Sequence, residues 1–512
     1  MTRAPRFAAH RPQEFRIGRK AGADFRGSRI RPLTGRNMAF ATGKGFRQDK
    51  DAMTGLLTCI SPIDGSVFAQ RPCLALPDAT AATKRSRGAQ KAWAARPLAE
   101  RIDLVLKGVA AVGAMNDEIV PELAHMMGRP VRYGGEFGGF NERASHMAAI
   151  AQTALADIKV GEDATFKRYI KRVPQGVVLV VAPWNYPYMT AINTVAPALI
   201  AGNAVVLKHA TQTLLVGERM ARAFHSVGVP QDVFQNVFLS HDTTSALIAA
   251  RAFDFVNFTG SVAGGRAMEH AAAGTFTGIG LELGGKDPGY VMEDADLDAA
   301  VATLVDAAMY NSGQCCCGIE RIYVHESLYE AFIDKAVALV QGYRLGNPLD
   351  ADTTIGPMAS TRFADEVRAQ ISEAVAMGAV AHIAPMAGDD GAAYLTPQIL
   401  TNVSHKMRVM RDESFGPVVG IMKVSSDAEA IALMNDSEFG LTASLWTQDL
   451  DRAARIGDEI ETGTVFLNRA DYLDPSLCWT GCKNTGRGGG LSVIGYQNLT
   501  RPKSYHLKKR TA

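Results

Sequence analysis

The stretch "TFKRYIKRVPQGVVLVVAPWNYP", residues 165–187, changes character halfway along. Up to Val173, charged and apolar residues alternate, as on an exposed strand; from Val177 to Ala182 the run is apolar without a break. An unbroken run is the pattern of a strand buried on both faces, and burial on both faces asks for helices on either side of a parallel sheet. The following segments supply that alternation. "NAVVLKHA" (203–210) leads into helical "QTLLVGERMARAFHSVG" (212–228), and "FDFVNFTGS" (253–261) into "VAGGRAMEHAAAG" (262–274). "GIGLELGGKDPGYVM" (278–292), taken as one strand-like segment, leads into "DADLDAAVATLVDAAMYNSGQ" (294–314). A second alternating stretch runs from "ERIYV" (320–324) to "GTVFLN" (463–468), and residues from about 80 to 160 carry apolar positions at helical spacing. The tail "SYHLKKR" (504–510) alternates again and needs a partner edge, either "FKRYIKRV" or another subunit.

Composition narrows the class. The 512 residues carry net charge +2 and are 47% hydrophobic, enough for large cores in more than one domain. Residues 1–52 hold 13 Lys/Arg against 4 Asp/Glu; the remainder is net acidic, which argues against a nucleic-acid partner. The basic stretch has a single serine, Ser28, and no amphipathic run, so an upstream start with Met53 as the true beginning is preferred over a transit peptide. No apolar run reaches the ~18 residues of a membrane span. The seven cysteines are unevenly spaced, unlike a secreted disulfide framework, and the expectation is a cytoplasmic enzyme.

Three of those cysteines are consecutive, in "NSGQCCCGIERIYV" (311–324). Adjacent residues are expected to point apart and so to close no metal tetrahedron, and an adjacent disulfide is strained, so no metal is assigned. Core packing is the plain reading for Cys315 and Cys317, with lining of a pocket as the alternative. Gly313 ends the preceding helix and frees backbone N–H groups, which suits an oxyanion site beside Cys316.

Read together, "APWNYP" (182–187), "FTGS" (258–261), "LELGGK" (281–286), "GQCCCG" (313–318) and "ESFGPV" (413–418) resemble the aldehyde dehydrogenase superfamily, in order and in spacing. Glu282 precedes Cys316 by 34 residues, and Glu413 follows it by 97. The resemblance implies an α/β fold with two parallel-sheet domains, a Rossmann-like cofactor domain (53–155 and 175–284) and a catalytic domain (285–484). Oligomerisation strands at 156–174 and 498–510 would form a small β extension, making a homodimer or homotetramer. It implies oxidation of a small-molecule aldehyde to the acid by NAD(P)+. Cys316 would be the nucleophile, Asn185 and the Cys316 N–H the oxyanion donors, and Glu282 the base that activates water for thioester hydrolysis. Trp184, Lys208, Thr211, Thr259, Gly260, Ser261, Gly265, Leu283, Glu413 and Phe415 would surround the cofactor. Tyr186, Met189, Cys315, Cys317, Tyr472, Leu473 and Trp479 would line the substrate pocket.

Departures from the family pattern qualify this. Where the family often reads Lys-Pro-Ser-Glu, this chain reads Lys208-His209-Ala210-Thr211. Without that Glu nothing repels a 2′-phosphate, so NAD is only slightly favoured over NADP. Gly489 and Gly490 stand where Arg-Glu is frequent. In "NRADYLDPSLCWTG" (468–481), Arg469 is the one arginine considered for a substrate carboxylate, and Asp471 and Asp474 would suit an amine. The alternatives are a CoA-acylating enzyme, against which Glu282 argues, and a non-enzymatic protein of the same fold.

Overall fold

The computed structural model describes residues 55–510, so the basic segment 1–52 lies outside the described residues. The run Val177–Ala182 is a strand with every residue buried. It sits inside a six-stranded sheet ordered Gly486–Arg487, Gly278–Glu282, Phe255–Thr259, Val177–Ala182, Ala204–His209, Phe234–Asn236. Neighbours are parallel except at the Gly486–Arg487 edge, which is antiparallel to Gly278–Glu282. The chain enters this sheet at Val177–Ala182, builds outward to Phe234–Asn236, and then returns to the other side with Phe255–Thr259. Strand order thus reverses between Val177–Ala182 and Phe255–Thr259, and open parallel sheets form their binding crevice beyond the C-terminal ends of strands at such a point. Helix Pro187–Ala201 leaves that crevice. Pro187 suits its first turn, where a missing N–H costs nothing, and Gly202 ends it at φ 95.

The second sheet has seven strands, ordered Val380–Ala381, Gln398–Thr401, Val418–Val424, Ile319–His325, Asp287–Val291, Thr442–Trp446, Thr464–Leu467, all pairs parallel but the first. The segment 278–292, read as one strand-like run, is in fact two strands in two sheets. It breaks at Gly284–Gly285, where an added Cβ would lie 2.3 Å from Glu413 Oε2 and 2.4 Å from the Cys316 carbonyl oxygen, respectively. Only glycine lets the chain cross from sheet to sheet pressed against both segments.

The tail finds its partner within its own chain. Thr500–Lys508 pairs antiparallel with Phe166–Pro174, from Thr500↔Pro174 to Lys508↔Phe166, and Ile158–Glu162 adds the third strand. Tyr169 and Tyr505 face each other across the ladder with rings stacked at 4.6 Å. The N-terminal helices Leu76–Ala95, Leu98–Gly113, Asn116–Met127 and Phe137–Ala154 share one core with the inner face of the first sheet, through Trp93, Val105, Leu123 and Phe140. Among the described residues no helix is long and apolar enough to cross a membrane.

Candidate active site

Cys316 is presented by a backbone reversal. Helix Leu297–Met309 is capped by Asp296, which accepts a hydrogen bond from Ala299 N–H, and ends before the expected break at Gly313. Asn311, Ser312 and Gly313 then all take positive φ, at 55°, 56° and 69°. Such strain in non-glycine residues persists only where surroundings over-determine it. Here Asn311 Nδ2 donates to the carbonyls of Asn185 and Gln314, each at 3.3 Å, and Ser312 Oγ donates to the Gly356 carbonyl at 2.8 Å. A Cβ on Gly313 would lie 2.2 Å from the Gly416 carbonyl oxygen. The expectation that neighbouring cysteine side chains diverge does not hold after this turn: the three sulfurs lie within 4.8 Å of one another. Cys315 and Cys317 reach Asp471 Oδ1 at 3.2 and 3.0 Å. Hydrogen bonding from Cys315, then Cys317, holds the Cys316 thiol below its ordinary value, against burial and the nearby Asp471 and Asp287. Burial pushes the Asp471 carboxyl well above the ordinary carboxylate range.

One cavity of about 750 Å³ opens onto Cys316, Cys315, Cys317, Asn185, Glu282 and Thr259. The Asn185 carboxamide makes no hydrogen bond among the described residues, and neither does the Cys316 backbone N–H. Two donors on residues lining the cavity of the thiol are therefore open. The Asn185 backbone is fixed from below, since Arg129 Nη2 donates to its carbonyl at 2.7 Å and Arg129 pairs with buried Glu136 at 2.7 Å. Glu136 in turn accepts from Met189 N–H at 2.7 Å, tying down the first turn of Pro187–Ala201.

Glu282 ends its strand in the cavity wall. Burial raises its carboxyl from 4.5 to about 7, while the Thr259 hydroxyl, donating to Oε2 at 3.2 Å, and Arg143 work the other way. A carboxyl near 7 is half ionised at neutral pH and is matched to general-base work. Glycine at 490 keeps this carboxyl uncrowded, as a Cβ there would come within 3.1 Å of Oε1.

Other residues of the same cavity have the character of a dinucleotide site. Trp184, Lys208, Gly260, Ser261, Leu283, Glu413 and Phe415 line it. Ser261 caps helix Val262–Ala272, accepting from Gly264 N–H at 3.2 Å, and Trp184 stacks on Phe363 and meets Phe415 edge-on. Glu413 accepts from Gly285 N–H at 3.0 Å, and burial followed by the negative Glu320 raises it to about 8. Glu320 is itself paired with buried Lys286 and accepts from the N–H groups of Ser414 and Phe415 at 2.8 and 2.9 Å. A cation, a helix start, aromatic faces and ribose-sized acceptors are the donor set that a nicotinamide dinucleotide requires. Thr211 and Gly265 do not reach the cavity. Thr211 opens the short turn Thr211–Thr213, and Gly265 lets its helix approach Leu283, 2.7 Å from where a Cβ would be.

Tyr186, Met189, Tyr472, Leu473 and Trp479 line the same cavity. Tyr472 donates to Glu142 at 2.6 Å, clasping the 468–481 loop to helix Phe137–Ala154. Arg469 does not line the cavity; its guanidinium lies 3.6 Å over the Tyr472 ring. Asp474 turns to Ser476. Sequence reasoning missed Arg129, Glu136, Arg143, Asn311 and Phe363. The one available signal was the pair Glu136 and Arg143, charged residues seven apart and so on one face of a helix that otherwise buries apolar side chains.

Comparison with known proteins agrees with the geometry. The model of the "Aldehyde dehydrogenase family" matches residues 48–505. Succinate-semialdehyde dehydrogenase (NADP(+)) 1 of Mycobacterium tuberculosis is 35% identical over 367 residues, 72% of this chain and 80% of that protein. The 3,6-anhydro-alpha-L-galactose dehydrogenase of Streptomyces coelicolor is 32% identical over 92% of this chain and 96% of its own length. The structure of an NADP-dependent glyceraldehyde-3-phosphate dehydrogenase from Bacillus halodurans, complexed with NADP, superposes with a TM-score of 0.83 at 31% identity, covering 88% of this chain and 96% of that one. The chain belongs to the aldehyde dehydrogenase family, enzymes that oxidise aldehydes to carboxylic acids with NAD(P)+.

Proposed function

We propose that Cys316, Asn185 and Glu282 carry this oxidation in the hydrolytic manner. The observation that carries the reading is the pair of unpartnered donors, the Asn185 carboxamide and Cys316 N–H, on residues that line one cavity with the thiol and Glu282. The Cys316 sulfur, its thiol drawn down by its neighbours, bonds to the aldehyde carbon, and the two donors take the oxyanion. Losing one such donor typically costs ~10²–10³ in rate. A nicotinamide dinucleotide held by Trp184, Lys208, Glu413 and Phe415 would supply the acceptor for the hydride that leaves the aldehyde carbon. Cys316 is left as a thioester; Glu282 takes a proton from water, the hydroxide adds, and the C–S bond breaks to release the acid. Cys316→Ala should abolish oxidation while cofactor still binds. Glu282→Gln should give a burst of reduced cofactor on mixing with aldehyde and then stall. Turnover of the wild type only when CoA is added would refute hydrolysis.

The remaining cofactor residues are assigned to the dinucleotide on the same footing: Trp184, Lys208, Thr259, Gly260, Ser261, Leu283, Glu413 and Phe415 along the cavity, with Thr211 and Gly265 acting from behind it. Thr211 brings no carboxylate to the adenosine ribose, which supports use of both cofactors, and the slight lean to NAD stands as an expectation for parallel assays. The two outer strands of the small sheet, Ile158–Glu162 and Thr500–Lys508, expose Ile158, Val160 and Leu507. Open edges with apolar side chains favour self-association into a homodimer or homotetramer. We place the enzyme in the cytoplasm.

A further inference from the structure

Three arginines line the cavity, and they differ in what balances their charge. Arg129 is paired with Glu136. Arg362 is exposed and lies over Phe363. Arg143, only 8% exposed, makes no ion pair among the described residues. Its Nη1 donates to the Met189 carbonyl at 2.9 Å and to Asn193 Oδ1 at 3.3 Å, both uncharged acceptors. Its Nε and Nη2 donate to nothing among the described residues, are not among the fully buried polar atoms, and belong to a side chain that lines the cavity. A guanidinium cannot shed its charge by deprotonating, so burial without an anion is costly, and the cost is met when an anion arrives.

The surrounding acids leave that place open. Glu136 is committed to Arg129 and Met189 N–H. Burial pushes the Asp471 carboxyl well up, disfavouring its charge, and Glu282, raised to about 7, is only half ionised near pH 7. Met189, Leu473 and Trp479 line the same cavity as Arg143, so the cavity offers apolar surface for a stem as well as a place for a charge.

We propose that Arg143 receives an anionic group at the far end of the substrate, so that the preferred aldehydes are ω-oxo carboxylates, held by a guanidinium fork at one end while Cys316 takes the other. The inference rests on the reading of Cys316 given under Proposed function. The planar fork matches a carboxylate with two parallel N–H donors, and the two nitrogens left over, Nε and Nη2, are such a pair.

The test compares equal-length pairs with saturating NAD or NADP: 4-oxobutanoate with butanal, 5-oxopentanoate with pentanal, 6-oxohexanoate with hexanal. In the wild type, kcat/KM for the best oxo acid should exceed that of its neutral partner ~10²-fold, the scale of a buried charge-assisted contact. Arg143→Met should bring this ratio close to one, chiefly through the KM of the oxo acid, and Arg143→Lys should keep part of it, with thermal melting confirming that both variants fold. A wild-type ratio near one, or equal losses on both classes in Arg143→Met, overturns the proposal and leaves Arg143 a positioning residue for Met189 and Asn193. Calorimetry without turnover supplies the second readout, titrating glutarate into Cys316→Ala. Binding that disappears on adding Arg143→Met supports the proposal; no binding in either overturns it even if neutral aldehydes are oxidised. Absence of reduced cofactor with every aldehyde would overturn the underlying reading, and this inference with it.

Discussion

Replacing Thr259 by valine removes one hydroxyl and should move the pH dependence of the whole cycle. Two opposing effects set the ionisation of Glu282. Burial lifts it from 4.5 to about 7, and the Thr259 hydrogen bond at 3.2 Å holds it back from rising further. A hydrogen bond to a charged acceptor contributes about 1.5–3 kcal/mol when well made. At 3.2 Å the low end applies, and about 1.4 kcal/mol corresponds to one pKa unit. The inflection should then move from about 7 to about 8. With ionised Glu282 as the proposed base, hydrolysis should rise with pH through the pKa. At pH 7 roughly half of the wild-type carboxyls and about a tenth of the variant's are active, so the steady rate should fall about fivefold and recover by pH 9. Stopped-flow absorbance of the reduced cofactor separates the steps, since the burst reports acylation and the later slope reports hydrolysis. Both are followed from pH 5.5 to 9.5 at saturating cofactor, because Thr259 also lines the cavity. An inflection that stays in place or moves down, or a slope that does not recover at high pH, would refute the account of how this carboxyl is tuned.

Lys286→Met should leave the Glu320 carboxylate buried without its cation, which costs about 3–5 kcal/mol for a buried pair. Chemical denaturation should register the loss, and the KM for the dinucleotide should rise because Glu320 holds the N–H groups of Ser414 and Phe415. Partial recovery of stability in the double variant Lys286→Met/Glu320→Leu would tie both effects to that pair. His209 is buried with neither ring nitrogen bonded, and burial followed by the Lys208 charge lowers it from 6.5 to about 3. The folded state therefore binds that proton later than the unfolded chain does, so the contribution is intact above pH 6.5 and is lost as the solution becomes more acid. About 1.4 kcal/mol should vanish between pH 7.5 and 5.5, read by urea unfolding at each pH, and His209→Leu should remove that part of the slope.

Local pattern reached a long way into this molecule. The unbroken apolar run 177–182 is a fully buried strand, and the alternating tail does pair with 166–174. Cys316, Asn185 and Glu282, drawn from three separate motifs, share one cavity. What stayed hidden depends on contacts between distant segments. The glycines that split 278–292 into two sheets do so because Glu413 and Cys316 lie against them, which no window of fifteen residues contains. The sulfurs of residues 315–317 converge because a left-handed turn precedes them, and nothing in "NSG" announces consecutive positive φ at an asparagine and a serine. Arg143 looks like a surface charge in "FNERASH" until helix Pro187–Ala201 closes over it. Thr211 and Gly265 occupy motif positions, yet their side-chain directions come from the turn and the helix packing around them.

The outer edge of strand Gly278–Glu282 is completed by Gly486–Arg487, with Leu283 N–H donating to the Thr485 carbonyl at 2.8 Å and the Thr485 hydroxyl to the Gly284 carbonyl at 2.7 Å. The segment that orients Glu282 is thus made some two hundred residues after it. Until residues 485–487 are in place, the edge of the Glu282 strand and the carbonyl of Gly284 have no partner from this segment. The placement of this carboxyl is therefore a long-range property: its strand is bordered, and its glycine exit held, by residues far along the chain.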